Sequence, residues 1–151
     1  MKLSILDQSV AIADKCQDQV INDTLNLSTI AEELGYSRFW ISEHHNHPTI
    51  IGTAPEILRA AIAAKTNKIR IGSAGIMLPH YSPFKVAEQF RVLNSLAPNR
   101  IDLGLGRAPG SDGRTALALN SNNREFSENF PSHVRDLSLI HISEPTRLHG
   151  I

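Results

Sequence analysis

Cysteine is nearly absent: Cys16 is the only one in 151 residues, so no disulfide framework is possible. No long run of basic residues occurs, and Lys+Arg and Asp+Glu both number 15, for a formal net charge of zero. A chain so balanced lacks the basic surface that neutralises phosphates, so neither nucleic acid nor a membrane surface is expected as a partner. No apolar run approaches the length of a membrane-spanning helix. The apolar stretch in MKLSILDQSVAIAD is broken by Asp7 and Gln8, which makes it too short for the core of a signal peptide. What these absences leave is a cytoplasmic, soluble globular protein, long enough for one domain with a real core.

The chain alternates in type. LSILD (Leu3–Asp7) reads as a short buried strand. From Asp18 to Gly35 the apolar positions Leu27, Ile30, Ala31 and Leu34 follow the spacing of an amphipathic helix, which Gly35 closes. RFWIS (Arg38–Ser42) is a second strand. Thr53 can cap a helix from about Ala54 to Lys65, with Pro55 in the first turn, where a missing N–H costs nothing. Ile57, Leu58, Ala61, Ile62 and Lys65 are expected on its inner face. KIRIGSAG (Lys68–Gly75) is a third strand, and Ser82-Pro83 opens a helix carrying Val86, Phe90, Leu93 and Ala97 on one stripe. RIDLGLG (Arg100–Gly106) is a fourth strand. Ala108 to Glu128 reads as a long polar loop with a short helix near Arg114–Leu119, and Phe130-Pro131 begins another helix.

Strand and helix repeating at this interval imply right-handed βαβ crossovers and a parallel sheet. An open doubly wound sheet and a (β/α)8 barrel both satisfy that pattern, and both place their sites at the carboxyl ends of strands. Here three successive strand ends carry unusual residues: Glu43-His44-His45, Gly72 to Gly75, and Gly104 to Arg107. A shared mouth favours the barrel. The expected fold is therefore α/β, the N-terminal half of a (β/α)8 TIM barrel, with four parallel strands and flanking helices.

The segment LSLIHISEPTR, Leu137 to Arg147, resembles a translated transposase-library sequencing adapter. On that reading residues 1–136 form a partial barrel domain and 137–151 are a non-native read-through tail, outside fold reasoning. His141 and His149 then carry no functional argument, and the chain is the front part of a longer protein.

Three motifs bear chemistry. EHHNH offers Glu43, His44, His45 and His47. His45 and His47 could share a metal ion in the manner of an H-x-H pair, but the third ligand would have to be His80 or His133. The same stretch could be a solvated turn, or one imidazole could move protons near neutrality. GSAGIMLP (Gly72–Pro79) is small enough either for something flat to approach the backbone or for tight packing against a helix. GLGRAPG (Gly104–Gly110) lacks the G-x-G-x-x-G pattern, because position 109 is proline, and no G-x-x-x-x-G-K-[ST] is present. Arg107 could still pair with a phosphate through its planar fork.

Taken in order, GYSRFWISEHHN (Gly35–Asn46), IRIGSAGIMLPHYSPFKVAEQF (Ile69–Phe90) and LAPNRIDLGLGRAPG (Leu96–Gly110) make the chain resemble the bacterial luciferase-like flavin-dependent oxidoreductases. The resemblance runs from about Leu3 to Asp136. It implies a barrel about twice this length and FMN as cofactor, with a deazaflavin as the related option. It implies His44 as the catalytic histidine, and Ser73, Ala74, Gly75, Gly106 and Arg107 on the cofactor side, with a non-prolyl cis peptide at Ala74-Gly75 and Arg107 on the flavin phosphate. Glu43 and His45 are expected to support an imidazole or line the substrate side. Gly106 stands where the light-emitting luciferase subunit has cysteine, which argues against light emission. The implied activity is monooxygenation of an organic small molecule by reduced flavin and oxygen, with a separate flavin reductase as partner and a homo-oligomeric parent. The alternatives are a non-catalytic flavin-binding barrel and a metal-dependent barrel hydrolase using His45 and His47. The substrate is not readable, because specificity in this family lies largely in later loops.

Overall fold

The computed structural model describes residues 1–143, and their side chains through residue 139. Four strands form one parallel sheet: β1 (Ser4–Asp7), β2 (Arg38–Ile41), β3 (Arg70–Ser73) and β5 (Ile101–Asp102), in the order β1-β2-β3-β5. Two-residue strands β4 (Ile76–Met77) and β6 (Leu105–Gly106) pair in parallel just beyond β3 and β5. Both lines therefore bend at the same level. Helices α1 (Gln17–Glu33), α2 (Pro55–Lys65) and α3 (Pro83–Leu96) connect the strands, followed by α4 (Gly113–Leu119), α5 (Asn123–Glu128) and α6 (Phe130–Ser143). Each principal strand lies beside the one before it in the chain. A doubly wound sheet must reverse direction at a switch point, whereas a barrel adds strands in chain order.

Strand alternation divides the two faces of the sheet. Phe39, Ile41 and Ile71 are fully or almost fully buried against Ala31, Leu58, Ile62 and Ala63 of the helices. Burial of each large apolar side chain here contributes about 1.5–3 kcal/mol. The opposite face carries a charged cluster. Asp102 accepts from Arg38 Nε at 3.0 Å, from Trp40 Nε1 at 3.4 Å and from the Arg70 guanidinium. Burial pushes the Asp102 carboxyl up, but Arg70 foremost among its partners holds it below the usual range. A second core joins Ile76, Leu78, Val86, Phe90, Leu93 and Leu137.

The α3 stripe lies where its spacing puts it, with Val86, Phe90, Leu93 and Ala97 all buried. The other two faces are corrected. Leu27, Ile30 and Leu34 of the first helical segment are exposed, and the buried stripe is Val20, Thr24, Ser28 and Ala31. Hydroxyls are tolerated there because Thr24 Oγ1 donates to Asp7 Oδ2 at 2.8 Å and lies 2.8 Å from Ser9 Oγ, from which it can accept, and Ser28 Oγ donates to Leu25 O at 2.7 Å. On α2, Ile57 and Lys65 face outward, while Arg59 and Ala63 join Leu58 and Ile62 inside. Arg59 is fully buried, with its guanidinium 5.1 Å from the Phe90 ring centroid. Burial lowers its pKa to about 10. Ala54, not Thr53, is the α2 N-cap. The expected long loop contains both α4 and α5. α6 runs unbroken across position 136, and residues 144–151 of the expected tail lie outside the described residues.

Candidate active site

The chain leaves β2 into Ser42 and Glu43, both buried. Glu43 collects three donors. Tyr81 Oη donates to Oε1 at 2.7 Å, His45 Nε2 lies 2.8 Å from the same oxygen, and the Met77 N–H donates to Oε2 at 3.0 Å. Burial pushes this carboxyl up, but the bonds from His45, Met77 and Tyr81 outweigh it and hold the pKa below its ordinary value. An ionised carboxylate can only accept, so His45 must donate from Nε2. That leaves Nδ1 as the nitrogen able to take a proton. Burial, then the nearby Glu43 charge, push the Tyr81 phenol well above its usual range, so it stays a donor.

His44 is half-buried, and its Nδ1 is buried without a hydrogen-bond partner in the protein, as is Ser42 Oγ. Its ring stands edge-on to His47 at 6.4 Å between centroids. His47 itself is exposed and turns Nδ1 to Thr49, so it does not join His45.

Beyond β3 the Ala74-Gly75 peptide bond is cis, and the Ala74 N–H donates to Ile41 O at 3.0 Å. The glycines around it are explained by packing, against the next strand and Trp40 rather than a helix. A Cβ on Gly72 would lie 2.5 Å from Trp40 Nε1, and one on Gly75 would lie 2.7 Å from the Leu105 carbonyl carbon. One on Gly104 would collide with Ser73 O. Ser73 is fully buried, and its hydroxyl both donates to Gly104 O at 2.8 Å and accepts from Gly104 N at 2.9 Å. Ala74 and Gly75 remain half-buried, so main chain is reachable at that point alone in the segment from 71 to 80.

The loop after β6 closes over the same end. Gly110 adopts φ +59°, and a Cβ on it would press to 3.0 Å from Glu43 O. Its carbonyl accepts the His45 N–H at 2.9 Å. Asn46 reaches Thr115 Oγ1 at 3.0 Å and Asp112 Oδ2 at 3.3 Å. Asp112 caps α4 through the Arg114 and Thr115 N–H groups, and the Thr115 bonds foremost pull its pKa down to about 2. Arg107 is exposed and donates Nε to Ser127 O at 3.0 Å. The three strand ends are thus stitched to one another by named hydrogen bonds through Glu43, His45, Ser73, Ala74 and Gly104, whereas the Arg107 bond runs to α5 and His44 Nδ1 has no partner. Sequence reading did not find Tyr81 or the Met77 N–H as Glu43 partners, nor Asn123 and Ser127. An isolated tyrosine or amide carries no motif, and His80 was visible only as a spare imidazole.

A family model described as luciferase-like monooxygenase matches residues 1–128. The chain belongs to the luciferase-like monooxygenase family. It is 46% identical over 138 residues to the N-acetyl-S-alkylcysteine monooxygenase of Bacillus subtilis (strain 168), covering 91% of this chain and 41% of that one. The crystal structure of apo-MsnO8 matches with a TM-score of 0.89 at 37% identity, over 99% of this chain and 47% of that chain. The oxygenating constituent of 3,6-diketocamphane monooxygenase from Pseudomonas putida, solved in complex with FMN, shares the fold with a TM-score of 0.76 at 23% identity. That match covers 93% of this chain and 38% of that chain. The chain spans about two fifths of the length of the curated relatives it matches.

Within the luciferase-like monooxygenases the sequential strand order has one reading: this is the N-terminal half of a TIM barrel. His45 Nε2 meets Glu43 and His47 Nδ1 meets Thr49. Among the described residues no three His, Cys, Asp or Glu are grouped to hold a metal ion. No helix among them is long and apolar enough to cross a membrane.

Proposed function

We propose that the full-length parent of this chain is a flavin-dependent monooxygenase acting on an organic small molecule in the cytoplasm. Reduced FMN is the cofactor, with a deazaflavin as the alternative, and a separate reductase supplies it. The parent is a homo-oligomer. In this reading residues 1–136 are the native domain and 137–151 a non-native tail, which sequencing of the parent gene past codon 136 tests.

The observation that carries the reading is the buried, unpartnered Nδ1 of His44, three residues past β2, at the same end of the sheet as the reachable main chain of Ala74 and Gly75 just past β3. A planar ring with polar edges fits such a place: it lies on main chain and offers the orphaned imidazole a partner. When bound, the flavin supplies the electrons that activate oxygen. His44 is the general base, holding or accepting a proton at the mouth. Glu43 holds His45 in one tautomer, and His45 lines the substrate side. Ser73 and Gly106 support the cofactor segment from behind, since Ser73 spends its hydroxyl on Gly104. Arg107, exposed on its loop, takes the cofactor phosphate through its terminal nitrogens.

The test uses the full-length parent with reduced FMN and oxygen. His44→Ala is expected to lower substrate oxidation by about 100-fold, the scale of a lost general base, with FMN affinity little changed. Unchanged oxidation overturns the assignment of His44 and favours a non-catalytic flavin-binding barrel. The isolated 151-residue chain is expected to bind FMN poorly, and tight binding by a monomer of it would contradict the picture of a half-built site.

A further inference from the structure

We propose that His80 is a positioning residue for the loop that carries Arg107, acting as a splint together with Asn123 and Ser127 of α5. His80 closes the 3-10 turn Leu78–His80 that follows β4, and only 8% of its surface is exposed. Its Nε2 lies 2.6 Å from Pro109 O. A carbonyl oxygen can only accept, so the proton is on Nε2. On the other side of the ring the Asn123 amide nitrogen lies 3.2 Å from Nδ1 and donates to it. The two contacts together fit the Nε2–H tautomer, with Nδ1 accepting.

Pro109 has no N–H, so its carbonyl is the backbone handle by which that residue can be held. It accepts from His80 and, at 3.3 Å, from Ser111 Oγ within the loop itself. His80 is therefore the tie between Pro109 and the body of the protein. The next carbonyl, Gly110 O, accepts the His45 N–H, and the His45 and His80 rings meet edge-on at 5.6 Å. Asn123 and Ser127 are four apart, one turn of α5. Asn123 fixes His80, and Ser127 O accepts from Arg107 Nε. One short helix thus holds both the arginine and the imidazole that anchors its loop.

The consequence for a ligand rests on the proposed role of Arg107 toward a cofactor phosphate. Loss of the Nε2–H should loosen the loop and blunt discrimination between a flavin with a phosphate and one without. His80→Phe keeps ring volume and the edge contact but removes the donor. His80→Gln keeps an amide N–H near the Nε2 position.

Two measurements separate this proposal from the reading beneath it. In the 151-residue chain, amide exchange at His45 reports whether Gly110 O stays in place. His80→Phe is expected to speed it about tenfold, the scale of one hydrogen bond lost, while His80→Gln stays near the wild-type rate. In the full-length parent, the ratio of FMN to riboflavin affinity is expected to fall several-fold in His80→Phe and to recover in His80→Gln. An unfolded variant would lose both ligands together and leave no ratio; retained far-ultraviolet circular dichroism guards against this. Equal exchange in wild type and His80→Phe, or a His80→Gln as loose as His80→Phe, overturns the proposal. A wild-type parent that binds FMN and riboflavin alike overturns the phosphate role of Arg107, while the exchange data still decide on His80.

Discussion

Glu43 is the residue on which most of the mouth depends. It satisfies a backbone amide, a phenol and an imidazole at once, in a position with 1% exposure. Truncating it strands three donors in the interior, so Glu43→Ala is expected to cost about 3 kcal/mol in urea unfolding. The pH dependence has a definite sign. Its pKa is lower folded than unfolded, so the stability it contributes is fully present above the ordinary carboxylate range and lost as acid takes the pH down through the folded value. The difference in unfolding midpoint between wild type and Glu43→Ala should therefore shrink on acidification. A constant gap across that range would mean the carboxylate is not stabilised by its donors. At this scale the sequence was half legible. EHHNH announced itself by composition, but nothing in it told which imidazole the carboxylate would hold. That choice depends on Tyr81 and Met77, 38 and 34 residues away in the chain.

Elements were legible where apolar residues alone make a face. α3 shows this, with Val86, Phe90, Leu93 and Ala97 buried as their spacing demands. α1 and α2 show the opposite case. Their inner faces include Thr24, Ser28 and Arg59, which a search for apolar periodicity passes over. Hydroxyls enter a core when a neighbour satisfies them, and that neighbour is invisible until the chain folds. Glycines divide in the same way. Gly35 at φ +78° has nothing within 4 Å of the place a Cβ would occupy, so only conformation requires it, as its place after α1 suggests. Gly104 is required by the Ser73 carbonyl on the neighbouring strand. Gly35→Ala is expected to cost about 1 kcal/mol. Gly104→Ala is expected to cost about 3 kcal/mol, because backbone must shift. Equal losses in thermal or urea unfolding would contradict this division.

On the scale of the whole molecule the barrel was chosen from three decorated strand ends, and the strand order β1-β2-β3-β5 agrees. The charged cluster on the other face was not foreseen, because Arg38, Arg70 and Asp102 belong to three separate strands and meet only through register. Among the described residues β1 pairs only with β2, and β5 only with β3, so each has a free side. Leu6 on β1, Leu3 just before it and Leu103 just after β5 are exposed. Free strand edges flanked by apolar side chains invite pairing with another chain. The 151-residue chain should therefore sediment faster as its concentration rises, and Leu6→Lys should weaken that trend. A single concentration-independent monomer would show that the edges are protected.

The end of the sheet away from the mouth is fastened differently. The Glu32 carboxylate accepts the N–H groups of Asn67, Lys68 and Ile69, clipping the tail of α1 to the chain entering β3. One carboxylate thus fastens the floor through three main-chain N–H groups, as Glu43 fastens the brim through an amide, a phenol and an imidazole. Removing either carboxylate should therefore loosen its own end of the sheet and leave the other tied.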